Sequence, residues 1–158
     1  MANGQYLYLQ PMVEQHLEII HSWRTNPKVY GMFMDSQRPS SWEETRKWWN
    51  NLPDSVMMMA MLVETTPFPI FWRGRAIGAI WVTPKSEPLL EVIIGEIELF
   101  GTPVVPKVYQ FAIEAIRKAM SRKPIRTFVK NRELAEELRT KGWGSCGQNN
   151  GFSELVYV

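Results

Sequence analysis

The sequence predicts a mixed α/β fold, a mostly antiparallel central sheet of about six to seven strands flanked by about four helices. Three observations lead there. Apolar runs of strand length alternate with helical stripes along the chain. Neither an internal repeat nor a low-complexity linker interrupts them, and 158 residues are enough for one continuous core but short for two. A single domain over residues 1–158 is therefore expected.

Each element has its own signal. Gln5 to Leu9 reads as a strand stopped by Pro11, since tyrosine and leucine crowd it. Val13, Leu17, Ile20 and Trp23 fall at steps of three and four, which predicts an amphipathic helix from Val13 to Arg24, ended by Asn26-Pro27. After a loop to Pro39, Ser40-Ser41-Trp42-Glu43-Glu44 carries a capping-box pattern and opens a second helix that runs to Asn50. Val56 to Glu64, Arg75 to Thr83 and Leu89 to Phe100 are expected to be central strands, the first two joined by a turn at Arg73-Gly74. Val108, Ala112, Ala115, Ile116 and Ala119 form a helical stripe; Ile125 to Lys130 is a short strand; Arg132 to Lys141 is a helix closed by Gly142. Gly144 to Gly151 reads as turn-rich, and Ser153 to Val158 as a last strand.

Composition excludes several classes of function. The formal charge of +2 comes without a basic or acidic block, so the charge pattern neither indicates nucleic acid nor bars it. The lone Cys146 has no partner for an intramolecular disulfide, and His16 and His21 do not make a metal-ligand set, which fits a reducing, cytoplasmic setting. No apolar run approaches the ~20 residues of a membrane span, so a soluble protein is expected.

Three local patterns, Trp23-Arg24-Thr25-Asn26-Pro27, Arg75-Ala76-Ile77-Gly78-Ala79-Ile80, and Asn131 followed by Lys141-Gly142-Trp143, occur in an order and spacing that resembles the GNAT superfamily of N-acyltransferases over nearly the whole chain. Within it, the chain looks most like the branch of the ribosomal-protein alanine and amino-sugar acetyltransferases. The resemblance implies a CoA-dependent N-acyltransferase that uses acetyl-CoA or another acyl-CoA, acts on an amine-bearing acceptor, and is a monomer or homodimer. It also implies a division of labour in which the strand before the cofactor loop faces the pantetheine and the next helix N-terminus receives the pyrophosphate.

Carried onto this sequence, the resemblance makes Leu99, Phe100, Gly101, Thr102, Val104, Val105, Lys107, Val108 and Asn131 the candidate cofactor residues. Acyl transfer to an amine needs a base, for which Glu91 is the first candidate and Glu96 the second, with Glu96 and Glu98 expected on the opposite strand face. Trp23, Arg24, Phe33, Trp42 and Arg46 are the candidate acceptor residues, with aromatic and cationic surface for a small molecule, nucleobase or peptide end. Arg117, Arg126, Lys130 and Arg139 belong to a basic set that either meets the charged end of CoA or forms a solvated face.

The loop departs from the family pattern. Gly101-Thr102-Pro103-Val104-Val105-Pro106 stands where glycines spaced two apart would let phosphate meet bare backbone, and its prolines remove two donors. Pro106 is expected to open the helix, leaving Lys107, Val108 and Tyr109 with free N–H groups. Leu138 stands where the resemblance puts a tyrosine acid, with Tyr109 a remote substitute. A GNAT-like domain that only binds a ligand or partner is the alternative reading. Because Cys146 has no basic neighbour in sequence to form a thiolate, Cys146→Ser is expected to keep any transferase activity; loss of activity with the fold intact would show a thiol nucleophile.

Overall fold

The computed structural model describes residues 5–30, 39, 41–52, 57–64, 74–83, 87–119, 123–149 and 151–158. Seven strands form one sheet: β1 (Gln5–Pro11), β2 (Met57–Glu64), β3 (Arg75–Thr83), β4 (Leu89–Ile94), β5 (Ile125–Val129), β6 (Gly144–Asn149) and β7 (Phe152–Tyr157), in the order β1-β2-β3-β4-β5-β7-β6. Every neighbouring pair is antiparallel except β4 and β5. The helices are α1 (Leu17–Thr25), α2 (Pro27–Tyr30), α3 (Trp42–Asn50), α4 (Val104–Ala119) and α5 (Arg132–Thr140).

Helices cover both faces of the sheet, which is why its central strands are apolar throughout rather than alternating. On one face Val108, Ala112 and Ile116 of α4 and Leu134 and Leu138 of α5 pack on Ile80, Val82, Leu90, Val92 and Ile94. On the other, Ile20 and Trp23 of α1 and Val29 of α2 pack on Met59, Met61, Ala79, Trp81 and Ile93, with Trp48 and Trp49 of α3 at the margin. A register shift between Ala60 and Met61 leaves Ile77 out of the pairing. That bulge explains the imperfect alternation of β3: Ile77 joins Ile80 and Val82 on the α4 face, and Ala76 packs on the other.

Several expectations need correction. Pro11 does not stop β1; it is the last residue of an edge strand, where a missing N–H costs little. The first helix is broken, with a 3-10 turn over Glu14–His16 before α1, and Val13 is exposed. The helix α2 was not foreseen. The third central strand ends at Ile94, and after Gly95 and Glu96 the chain turns through a 3-10 helix over Ile97–Leu99. Glu96 and Glu98 therefore do not stand on a strand face. The stretch Gly144–Asn149 pairs with β7 as the second edge strand, although its composition is that of a turn. The serine cap of α3 is Ser41, whose Oγ accepts from the Glu44 N–H at 3.2 Å, and Gly142 closes α5 at φ 107°. The Arg73-Gly74 turn falls partly outside the described residues.

Gly78 of β3 is the register partner of Ile94 on β4. A Cβ there would lie 2.6 Å from the Ile93 carbonyl oxygen and 3.0 Å from Ile94 Cδ1. Gly78→Val is accordingly expected to destabilise the protein by about 1–3 kcal/mol, read from the urea unfolding midpoint. An unchanged midpoint would contradict this packing.

Candidate active site

The parallel pair at the middle of the sheet is short. Leu89 pairs with Arg126 and Leu90 with Thr127, and the buried Thr127 hydroxyl donates to the Leu90 carbonyl at 2.9 Å. Beyond that point no further β4–β5 pair forms among the described residues, while Glu91–Ile94 continue to pair with β3. The two strands part, and β4 keeps one backbone edge open. Beyond their carboxyl ends, where α/β folds place their ligands, Phe100, Gly101 and Val105 on one side and Asn131, Glu133, Leu134 and Glu137 on the other line a cleft of about 120 Å³.

The loop that floors the cleft is tied to itself. Gly101 takes φ 85°, a left-handed value that suits glycine. The Thr102 hydroxyl donates to the Leu99 carbonyl at 2.5 Å and accepts from the Val104 N–H at 3.3 Å. The helix begins at Val104, not at Pro106, and the Lys107 N–H already donates to the Pro103 carbonyl at 3.3 Å. The expected free donors at Lys107, Val108 and Tyr109 are thus inside the helical ladder. Of the N–H groups that open a helix without an intrahelical partner, Pro103 and Pro106 have none and Val104 is capped by Thr102, which leaves Val105. At α5, Asn131 Oδ1 accepts from the Leu134 N–H at 2.9 Å, and Glu133 stands in the first turn, where its charge meets the helix dipole.

Of the nine candidate cofactor residues, Phe100, Gly101, Val105 and Asn131 converge on the cleft. Leu99, Val104 and Val108 are buried in the core, Thr102 caps α4, and Lys107 is exposed without lining the cleft.

The described candidate acceptor residues and Glu91 lie on the opposite face of the sheet. Glu91 accepts a hydrogen bond from the Trp81 indole N–H on β3, its register partner. Trp81 meets Trp48 edge to face at 5.3 Å, and the guanidinium of Arg24, fully buried, stacks 4.6 Å over Trp48. Arg24, Trp48, Trp81 and Glu91 thus form one chain of contacts from α1 to β4. Trp23 lies against Gly95 directly after the strand. Trp42 meets His21 edge to face at 5.3 Å, His21 Nδ1 shares a hydrogen bond of 2.5 Å with Thr45 Oγ1, and Arg46 pairs with Glu14 at 2.8 Å, so these side chains gather where α1 meets α3. Glu96, past the end of β4, forms a two-pronged pair with Arg75 at 2.7 and 3.0 Å. Phe33 lies outside the described residues.

The remaining candidates are committed elsewhere. Tyr109 is fully buried, which pushes its phenol far above the ordinary range and removes it as an accessible acid. Leu138 is core. Arg117 donates to the Lys123 carbonyl at 2.6 Å, Arg139 pairs with Glu136, and Lys130 lies over Phe152. Arg126 is gripped by Glu87 and Glu154, which hold its pKa above the usual value. Sequence reasoning did not find Trp81, which only the β3–β4 register brings to Glu91, or the cleft-lining Glu133 and Glu137.

Solved acetyltransferases share this fold. A domain from Methanocaldococcus jannaschii superposes with a TM-score of 0.80 at 18% identity, covering 97% of this chain and 98% of the other. The spermidine N-acetyltransferase of Vibrio cholerae, in complex with CoA and spermine, superposes with a TM-score of 0.72 at 14% identity over 95% and 94% of the two chains. An aminoglycoside acetyltransferase in complex with coenzyme A and kanamycin gives 0.69 at 12% identity over 97% and 95%. In sequence, an uncharacterized protein of Methanocaldococcus jannaschii is 27% identical over 97 residues, which are 60% of this chain. The chain spans only 19% of that relative's length. No family model matches. At these identities the likeness to the solved structures is one of fold.

Trp23 and Gly95 set the end of β4. A Cβ on Gly95 would lie 2.1 Å from the Trp23 ring, so Gly95→Ala must displace the indole, with an expected loss of about 1–3 kcal/mol. Urea unfolding followed by tryptophan fluorescence checks it; unchanged stability and spectrum would show that the contact is not tight.

Proposed function

We propose that the chain is an N-acyltransferase that moves an acyl group, acetyl in the first instance, from an acyl-CoA-type thioester to a primary amine of a small molecule, nucleobase or protein. The observation that carries this reading is the open edge of β4 beyond Leu90, on a strand that also bears Glu91. An unpaired strand edge suits the peptide-like amides of a pantetheine arm, because it offers the same donors and acceptors that a neighbouring strand would use. The amines named with the solved neighbours, an aminoglycoside antibiotic and a polyamine, belong to the acceptor class expected here.

In this reading the Trp81 indole fixes the orientation of the Glu91 carboxylate, and Glu91 takes a proton from the acceptor nitrogen directly or through a water. The nitrogen forms the new N–C bond, the C–S bond breaks, and the thiolate is protonated by water, since Leu138 has no proton to give and Tyr109 is buried. The lack of an accessible acid at Leu138 and Tyr109 is also what favours the second reading, a catalytically inactive domain that binds a ligand or partner.

Acetyl-CoA at ~100-fold its dissociation constant is expected to stabilise the protein by about 2.7 kcal/mol in thermal unfolding. No shift would remove the donor reading. Glu91→Gln is expected to lower the transfer rate by ~10²-fold near neutral pH with acetyl-CoA affinity nearly unchanged, whereas Glu96→Gln, which only loosens the Arg75 pair, leaves the rate within a few-fold. The reverse pattern would move the base to Glu96.

A further inference from the structure

The cleft beyond β4 and β5 does not fit a diphosphate. Diphosphates are held by helix N-termini through free N–H groups aided by the dipole, and of the two helix N-termini that flank the cleft, that of α4 has this capacity largely withdrawn. At α4, Pro103 and Pro106 have no N–H and Thr102 Oγ1 takes that of Val104, so Val105 is left. At α5, Asn131 Oδ1 takes the Leu134 N–H, and Glu133 and Glu137 are themselves lining residues of the cleft. Lys107 and Arg132, the cations of the same two turns, are exposed and do not line it. Two glutamates in the lining and a single open donor at α4 disfavour an anion there. The edge of β4, by contrast, is open to an uncharged amide-bearing chain.

Resting on the acyltransferase reading, we propose that this protein recognises its acyl donor through the pantetheine arm alone and gains nothing from the diphosphate. The donor class is an acyl-pantetheine thioester, whatever its far end carries. Glu133 and Glu137 are the specificity-determining residues, acting against a charged end in the cleft. Val105 and Gly101 leave space for a neutral one.

Calorimetric titration of the full chain with acetyl-CoA and with S-acetyl-pantetheine, at low and at high salt, tests this. Acetyl-CoA is expected to bind no more tightly than S-acetyl-pantetheine, with an affinity that does not weaken as salt rises, since no favourable ionic contact is present to be screened. The double substitution Glu133→Gln with Glu137→Gln is expected to tighten acetyl-CoA by ~5-fold or more and leave S-acetyl-pantetheine unchanged. Acetyl-CoA binding ~10-fold or more tighter than S-acetyl-pantetheine in the unsubstituted chain would overturn the proposal, and that comparison stands even if the double variant does not fold. Should neither thioester bind, the donor reading fails and this inference with it. Equal binding of both without acyl transfer to any amine would support the inference while sinking the catalytic reading.

Discussion

The architecture turns on how few contacts hold β4 to β5. A parallel pair needs a crossover on the sheet face, and α4 supplies it, fixed by Val108, Ala112 and Ile116 in the core. With the crossover in place, the Leu89–Arg126 and Leu90–Thr127 pairs and the Thr127 hydroxyl on the Leu90 carbonyl hold the strands together at one end only. Everything beyond Leu90 must then diverge. Backbone groups that a longer ladder would consume stay on the β4 edge, and an unpaired buried backbone group is costly unless water or a ligand meets it. An open edge is thus a consequence of where the pairing stops.

The far end of β4 is set by packing from the other face. Trp23 occupies the space a side chain on Gly95 would need, and the Gly95 N–H donates to the Ile77 carbonyl at 2.7 Å. The chain cannot run on as a strand and turns through Ile97–Leu99 into the cleft-flooring loop. One strand therefore couples two surfaces, an open edge and cleft on the α4–α5 side and Glu91, held by Trp81, on the α1–α3 side.

Much of this was legible in the sequence because the signals are local. The serine cap of α3, Gly142 and the β3 boundaries follow from side-chain chemistry at single positions. The stripe Val108, Ala112 and Ile116 faces the core as periodicity requires. What was not legible depends on partners distant in sequence. Gly144–Asn149 is a strand only because β7 offers an edge to it. β4 ends early because Trp23, more than seventy residues upstream, packs on Gly95. The start of α4 at Val104 depends on Thr102 and Pro103 closing its first turn, so the helix reaches back past a proline that local rules place first. For the site the same division holds: Phe100, Gly101, Val105 and Asn131 line one cleft close to the ends of their elements, whereas the Glu91–Trp81 contact comes from strand register.

The central claim is that a thioester donor lies along the open edge of β4. Amide hydrogen exchange, followed peptide by peptide with and without saturating acetyl-CoA, addresses it directly, because an edge that gains hydrogen-bond partners exchanges more slowly. Slowed exchange over residues 91–95, with the first turn of α4 unchanged, is the result this account predicts. Unaltered exchange over 91–95 while another part of the protein becomes protected would contradict it.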